Sequence, residues 1–314
     1  MGSNTYNILA LDGGGLRGVI TSMLLDRISR EDPYFLNNVD LVVGTSTGGI
    51  LALALAKGLP PVTITDMYLK NGAAIFRRGF WRTAVSLLGL RRAKYDNTAL
   101  KEVLHGVFGE SRLSDLSKKV AIPTFKLDDG DPKRRSWSPK IFHNFLGSDS
   151  DGRQRTVDVA LYTSAAPSYF PSVDGYVDGG VVANNPSLVG LAQALDRRSI
   201  PLNSTSTVPR QIDDIRLLSV GTGTRSAFIT GDRHDWGIME WASPLLDILF
   251  DGVSEISDFQ CRQLLRHNYY RLQVDFPRGV DIAMDDASNL DLMVNIAAAQ
   301  SIQPVHNWLT CVGW

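Results

Sequence analysis

The sequence predicts an α/β protein, a central and mostly parallel sheet covered by helices on both faces. Three observations predict it. Short apolar runs such as Asn7-Ile8-Leu9-Ala10-Leu11 and Val39-Asp40-Leu41-Val42-Val43 read as strands buried on both sides. Longer stretches with helical spacing alternate with such runs, as strand–helix–strand units require. Small-residue turns also stand directly after the first two runs, where a strand would hand over to a helix.

The first strand, Asn7 to Leu11, leads into Asp12-Gly13-Gly14-Gly15-Leu16-Arg17-Gly18 and a helix over Val19 to Ser29. The second, Val39 to Val43, leads through Gly44-Thr45-Ser46-Thr47-Gly48 into a helix from about Thr47 to Lys57. Val120 to Phe125, Lys140 to Phe145 and Arg216 to Val220 read as further strands. Asn97 to Phe108, Leu188 to Arg197, Pro244 to Leu265 and Leu290 to Leu309 read as helices. Polar stretches at Asp128 to Arg135 and Pro201 to Asp214 read as surface loops, so residues 1–314 are expected to form one domain.

Composition narrows the function classes. The chain has 314 residues, 44% hydrophobic and 21% charged, which is globular and not disordered. A net charge of −1 gives no overall attraction to nucleic acid, and none is expected as a partner. Cys261 and Cys311 are too few for a disulfide framework and read as buried apolar groups, which points to a reducing, cytoplasmic setting. Neither a leader nor an apolar run long enough to cross a bilayer is evident. No His, Cys or acidic spacing suggests a metal site.

A strand, a Gly-x-Ser-x-Gly turn and a helix make a nucleophile elbow. Gly44 and Gly48 let the chain turn sharply enough to expose the Ser46 hydroxyl, with the positive end of a helix behind it. The glycine loop leaves backbone N–H groups uncovered, able to hold a phosphate or the oxyanion of an acyl-transfer intermediate. Gly13, Gly15 and Gly18 also satisfy a dinucleotide-binding pattern. That reading wants an acidic residue at the end of the second strand, and the sequence there is Val42-Val43-Gly44. A third segment, Tyr176-Val177-Asp178-Gly179-Gly180, places a carboxylate at a tight glycine turn.

These three segments, in this order, resemble the patatin-like phospholipase family over about residues 7–225. Thr163 to Phe170 and Asn184-Asn185-Pro186 add to the likeness; the helical part from about 227 carries no matching motif and is expected to belong to the same domain. The resemblance implies a three-layer α/β fold and a phospholipase A or lysophospholipase type of lipid acyl hydrolase. It also implies a Ser46–Asp178 dyad without histidine. The oxyanion hole would be built from Gly13, Gly14, Gly15, Arg17, Gly18 and Thr47, with the amides of Gly14, Gly15 and Thr47 as donors. Gly179 and Gly180 would shape the aspartate turn. No cofactor is implied, and the partner is a phospholipid or other acyl lipid. An unperturbed Asp, with a pKa near 3.9, is a poor base, so burial beside Ser46 is expected to raise it. A Ser–Asp–His triad using His234, His267 or His306 is disfavoured, because Ser46 comes after only two strands.

An acyltransferase with the same nucleophile is the nearest alternative, and a nucleotide- or anion-binding protein that uses the glycine loop without turnover is the other. Between Ile75 and Tyr95, aromatic and aliphatic residues interleave with Arg77, Arg78, Arg82, Arg91, Arg92 and Lys94. That composition suits a peripheral contact with anionic lipid, or equally an amphipathic helix packed on the core. Trp236 and Trp241 lie in a second apolar stretch that suits an acyl pocket, a lid or core.

Overall fold

One sheet organises the computed structural model, which describes residues 5–77, 93–196, 210–224, 229, 235–241 and 244–314. Its strands are β1 (Tyr6–Leu11), β2 (Leu41–Gly44), β3 (Lys119–Lys126), β4 (Ser138–His143), β5 (Tyr176–Asp178), β6 (Ile215–Val220) and β7 (Tyr269–Leu272). The order is β4-β3-β2-β1-β6-β7. The pairs β1–β2, β1–β6, β2–β3 and β6–β7 are parallel, whereas β4 and β5 each run antiparallel to β3. The sheet is thus mostly parallel, with its antiparallel strands at one side.

The period-2 alternation of the strands separates two apolar layers. Leu9, Leu11, Val42, Val120, Ile122, Leu218 and Val220 face one core, and Tyr6, Ile8, Ala10, Leu41, Val43, Ala121, Ile215 and Leu217 face the other. The first core is covered by α1 (Gly18–Glu31), α2 (Thr47–Ala56), α3 (Pro61–Ile75), α4 (Thr98–Phe108) and α5 (Thr156–Thr163). The short α6 (Gly180–Ala183) follows β5. α7 (Ser187–Leu195) lies on the second core, and the short α8 (Ile238–Trp241) precedes α9 (Leu245–Leu265), which packs Cys261 and Leu265 there as well. α10 (Leu290–Ala299) and α11 (Gln303–Val312) return to the first face. Every residue of α2 is buried, as suits a helix that is apolar all round.

The structure differs from the sequence expectation in three places. The single helix expected over Leu290 to Leu309 is two, with extended backbone at Gln300 between them (ψ 127°). Pro304 has no N–H to continue a helix, and Arg27 Nη1 caps the end of α10 by donating to the carbonyls of Ala297 (2.6 Å) and Gln300 (2.7 Å). The last third also contributes β7, which pairs with β6 beside the first strand, where only helices were expected. Cys311 is exposed rather than buried. Residues 78–92, the centre of the basic aromatic stretch, and His234 lie outside the described residues. Among the described residues no helix is long and apolar enough to cross a membrane.

Candidate active site

Topology brings the three segments together at the carboxyl ends of β1 and β2. β3 is shared lengthwise: its first half, Lys119 to Ala121, pairs with β2, and its second half, Thr124 to Lys126, pairs with β5. β5 therefore takes up the edge that β2 leaves at Gly44. Running antiparallel, it delivers its last residue, Asp178, opposite Thr124 and beside the turn after β2. This register spans the 132 positions between Ser46 and Asp178.

The turn after β2 is strained. Ser46 has φ 56° and ψ −125°, a conformation that costs a non-glycine residue about 1–3 kcal/mol. It is held by neighbours on several elements. The Ser46 amide donates to Thr163 Oγ1 (3.0 Å), and that hydroxyl donates onward to the Pro123 carbonyl (2.7 Å). Thr45 Oγ1 donates to the Ala183 carbonyl (2.6 Å). A side chain at Gly44 would run into the Gly48 carbonyl, and one at Gly48 into the Leu11 carbonyl. The backbone of α2 thereby reaches the end of β1, and its first amide, on Thr47, opens beside Ser46. Thr47 Oγ1 pairs in turn with the Tyr68 hydroxyl, whose pKa burial pushes up to about 12.

The glycine loop is fixed by distant parts of the chain. Asp12, at its start, is buried and receives two bonds from Arg271 of β7 (Nη1–Oδ1 2.9 Å, Nη2–Oδ2 2.5 Å). Burial acts against the charge on Arg271, but Asp12 outweighs it and holds the guanidinium above its ordinary range. Gly13 donates its amide to the Asn184 carbonyl (3.0 Å) and Leu16 to the Met284 carbonyl (2.7 Å). Arg17 donates its amide to the Gly14 carbonyl (3.2 Å), and Gly18 donates back to Gly15 and Leu16. Among the described residues, Gly14 and Gly15 give their amides to no backbone acceptor. Gly15 turns with φ 58°, and a side chain there would meet the Met284 carbonyl.

Asp178 is only 2% exposed and Ser46 8%. Burial pushes the Asp178 carboxyl up to about 7, against the opposing pull of the Ser46 hydroxyl and the Gly180 amide. The Gly180 amide donates to Asp178 Oδ1 (2.7 Å), while the Asp178 backbone is tied to Ala165. Ser46, Asp178, Gly14, Gly15 and Thr47 line one cleft. Its remaining wall is largely apolar and includes Tyr68, Phe76, Leu100, Phe170 and Phe250. Gly13, Arg17, Gly18, Gly44, Gly48, Gly179 and Gly180 shape its backbone from outside the lining. Arg17 lies in an adjoining pocket with Asp247 and Asp251.

Among the described residues no histidine lines the cleft, and no group of His, Cys, Asp or Glu is placed to hold a metal ion. Trp236 and Trp241 pack edge to face on each other, centroids 5.2 Å apart, and neither lines the cleft. Four residues with roles here escaped the sequence reading: Thr163, Tyr68, Arg271 and Met284. Only Thr163 lay inside a recognised motif block, and the others carry no local signal.

An elbow serine, an uncovered glycine loop and a buried aspartate thus stand together at the mouth of an α/β sheet. Residues 9–189 match the family described as patatin-like phospholipase, and the chain belongs to that family. It is 34% identical over 285 residues to a cGAMP-activated phospholipase of Pseudomonas aeruginosa, covering 86% of this chain and 79% of that protein. A cGAMP-activated phospholipase of Vibrio cholerae is 36% identical over 325 residues, covering 91% and 86%. Patatin-like protein 4 of Arabidopsis thaliana is 30% identical over 332 residues, covering 92% and 81%. Among solved structures, VipD from Legionella pneumophila is a loose likeness, with TM-score 0.38 and 11% identity over 94% of this chain and 67% of that one.

Proposed function

We propose that the chain hydrolyses an acyl ester of a phospholipid through a Ser46–Asp178 dyad and an acyl-enzyme. The observation that carries this reading is the Asp178 carboxyl, buried beside the strained Ser46 and pushed up to about 7. A general base works best with a pKa near the working pH. Ser46 Oγ attacks the ester carbonyl carbon while Asp178 takes its proton. The oxyanion is held by the amides of Gly14, Gly15 and Thr47, the three donors of the sequence expectation, while Gly13, Arg17 and Gly18 use their amides within the loop and on Asn184. Collapse expels the alcohol, which takes the proton from Asp178. Water then attacks the acyl-enzyme as Asp178 again accepts a proton, and Ser46 is regenerated with release of a fatty acid.

The whole chain acts as one domain in this reading, since β7 supplies Arg271 to the loop after β1. The basic, aromatic stretch of residues 75–95 would meet the lipid surface, with Phe76 reaching the cleft wall. The two relatives named as cGAMP-activated phospholipases support a further step, that cGAMP switches this activity on.

The test is fatty-acid release from mixed phospholipid vesicles, with and without cGAMP, for the parent, Ser46→Ala and Asp178→Asn. Release that needs both residues is the expected result. Undiminished release from Ser46→Ala would refute the dyad, and acyl transfer would appear as product on an added alcohol. Equal release with and without cGAMP would remove the switch and leave the hydrolase.

A further inference from the structure

Asn184 brings an unused acceptor into the cleft. The one-turn helix α6 leads from the aspartate turn to this residue, whose backbone carbonyl accepts from the Gly13 amide (3.0 Å). Asn184 lines the cleft together with Ser46 and Asp178, yet is only 8% exposed.

α9 settles which end of its carboxamide faces the dyad. Ser254 Oγ donates its single proton to the Phe250 carbonyl (2.8 Å), so toward Asn184 it can only accept. Nδ2 therefore points at Ser254 (3.0 Å), and Oδ1 points the other way. No described residue donates to Asn184 Oδ1.

Two glycines make room for that oxygen. The first side-chain carbon of any other residue at position 13 would lie 2.3 Å from Asn184 Oδ1 and 3.2 Å from Ser46 Cβ. One at position 180 would lie 3.2 Å from the same oxygen and 3.1 Å from Asp178 Oδ1. Little more than an absent methyl group thus parts Asn184 Oδ1 from each member of the dyad.

A buried acceptor with no donor in the resting protein is costly, and a donor that arrives during turnover accounts for it. The two steps of the acyl-enzyme cycle differ in the protons carried by the attacking oxygen. Ser46 Oγ has one, and Asp178 takes it. Water has two, so when one goes to Asp178 the other needs an acceptor of its own.

Resting on the dyad reading above, we infer that Asn184 Oδ1 seats the water that hydrolyses the acyl-enzyme. The water oxygen attacks the acyl carbon, with one proton passing to Asp178 and the other held by Asn184 Oδ1. The bond from that carbon to Ser46 Oγ breaks, Oγ takes the proton from Asp178, and the retained proton leaves on the carboxylic acid. A water held at two points is aligned for attack, a service that the first step does not need. Asn184 is accordingly a catalytic residue of deacylation and a bystander to acylation.

The test separates the two steps in the full chain, using a soluble p-nitrophenyl ester with the parent, Asn184→Leu and Ser254→Ala. In Asn184→Leu the acyl group on Ser46, followed by mass, should decay about 100-fold more slowly. kcat and KM should fall together, leaving kcat/KM and fluorophosphonate labelling of Ser46 at the parent's values, because both report steps no later than acylation. Ser254→Ala leaves the cleft lining untouched but frees the carboxamide to turn, and should show the same pattern at smaller amplitude. Slowed labelling with an equal loss of kcat and kcat/KM in Asn184→Leu would overturn the inference, since Asn184 would then only brace the glycine loop. Deacylation at the parent's rate would overturn it as well. A defect confined to lysophospholipid substrates, and appearing in kcat/KM, would assign Oδ1 to the lipid's free hydroxyl instead. A parent neither labelled nor acylated at Ser46 defeats the dyad itself, a result distinct from all of these.

Discussion

Replacing Asp178 by Asn should stabilise the protein while abolishing turnover, and the gain should depend on pH. The carboxyl sits at about 7 in the folded chain against 3.8 for the free group. A raised folded pKa means that the native state holds a proton the unfolded chain has released. Stability is therefore full below pH 3.8 and is lost as pH rises through 7. The gap of about three pH units, at about 1.4 kcal/mol each, amounts to roughly 4 kcal/mol above neutrality. Asn carries no such cost, and its Oδ1 still accepts the Gly180 amide. With an unfolding entropy of about 2.1 cal/mol/K per residue, roughly 4 kcal/mol in this chain corresponds to a Tm rise of about 6 °C at pH 8. Near pH 4 the difference should shrink to under about 1 kcal/mol. Thermal and urea unfolding of both proteins across that range measures it. In the same window, fluorophosphonate labelling of Ser46 in the parent should rise about tenfold per pH unit and level off above about 7. A stability gap that stays flat with pH, or an Asn variant less stable at pH 8, would refute the argument that Asp178 is buried at a cost and retained for chemistry.

Three further outcomes are expected. Thr163→Val leaves the Ser46 amide and the Pro123 carbonyl without their shared hydroxyl, at about 1–3 kcal/mol per orphaned group in urea unfolding, and slows Ser46 labelling as the elbow relaxes. Arg271→Met strands a buried Asp12 carboxylate and should cost about 3–5 kcal/mol, most of it recovered in the double variant with Asp12→Asn. Ser46→Gly should be more stable than Ser46→Ala by about 1 kcal/mol or more, because only glycine adopts φ 56° and ψ −125° without strain; paired thermal melts decide it.

The elbow and the glycine loop were legible because each is a local device: a few adjacent residues set the backbone conformation, and the flanking apolar runs declare the strand and the helix. Asp178 was legible only as a turn. Its approach to Ser46 follows from β5 taking over the edge of β3 after β2 ends, a register that no short stretch encodes. The same holds for Arg271 and Met284, which reach the first loop from the last quarter of the chain through the pairing of β7 with β6. Thr163 lay in a recognised block, but its bond to a strained amide needed coordinates. The apolar periodicity across residues 290–309 runs through a break that Pro304 marks, since a proline has no N–H to carry a helix through and suits the first turn of a new one.

The buried pair of Asp12 and Arg271 has a consequence for how the protein comes into being. Translation delivers Asp12 and the glycine loop before the elbow and the aspartate turn, and only later the arginine and the Met284 carbonyl that steady the loop. A growing chain on the ribosome thus carries Ser46 and Asp178 well before the anchor of its glycine loop exists. Because this anchor follows the other segments in the chain, the glycine loop takes its final position only once Arg271 and Met284 have emerged.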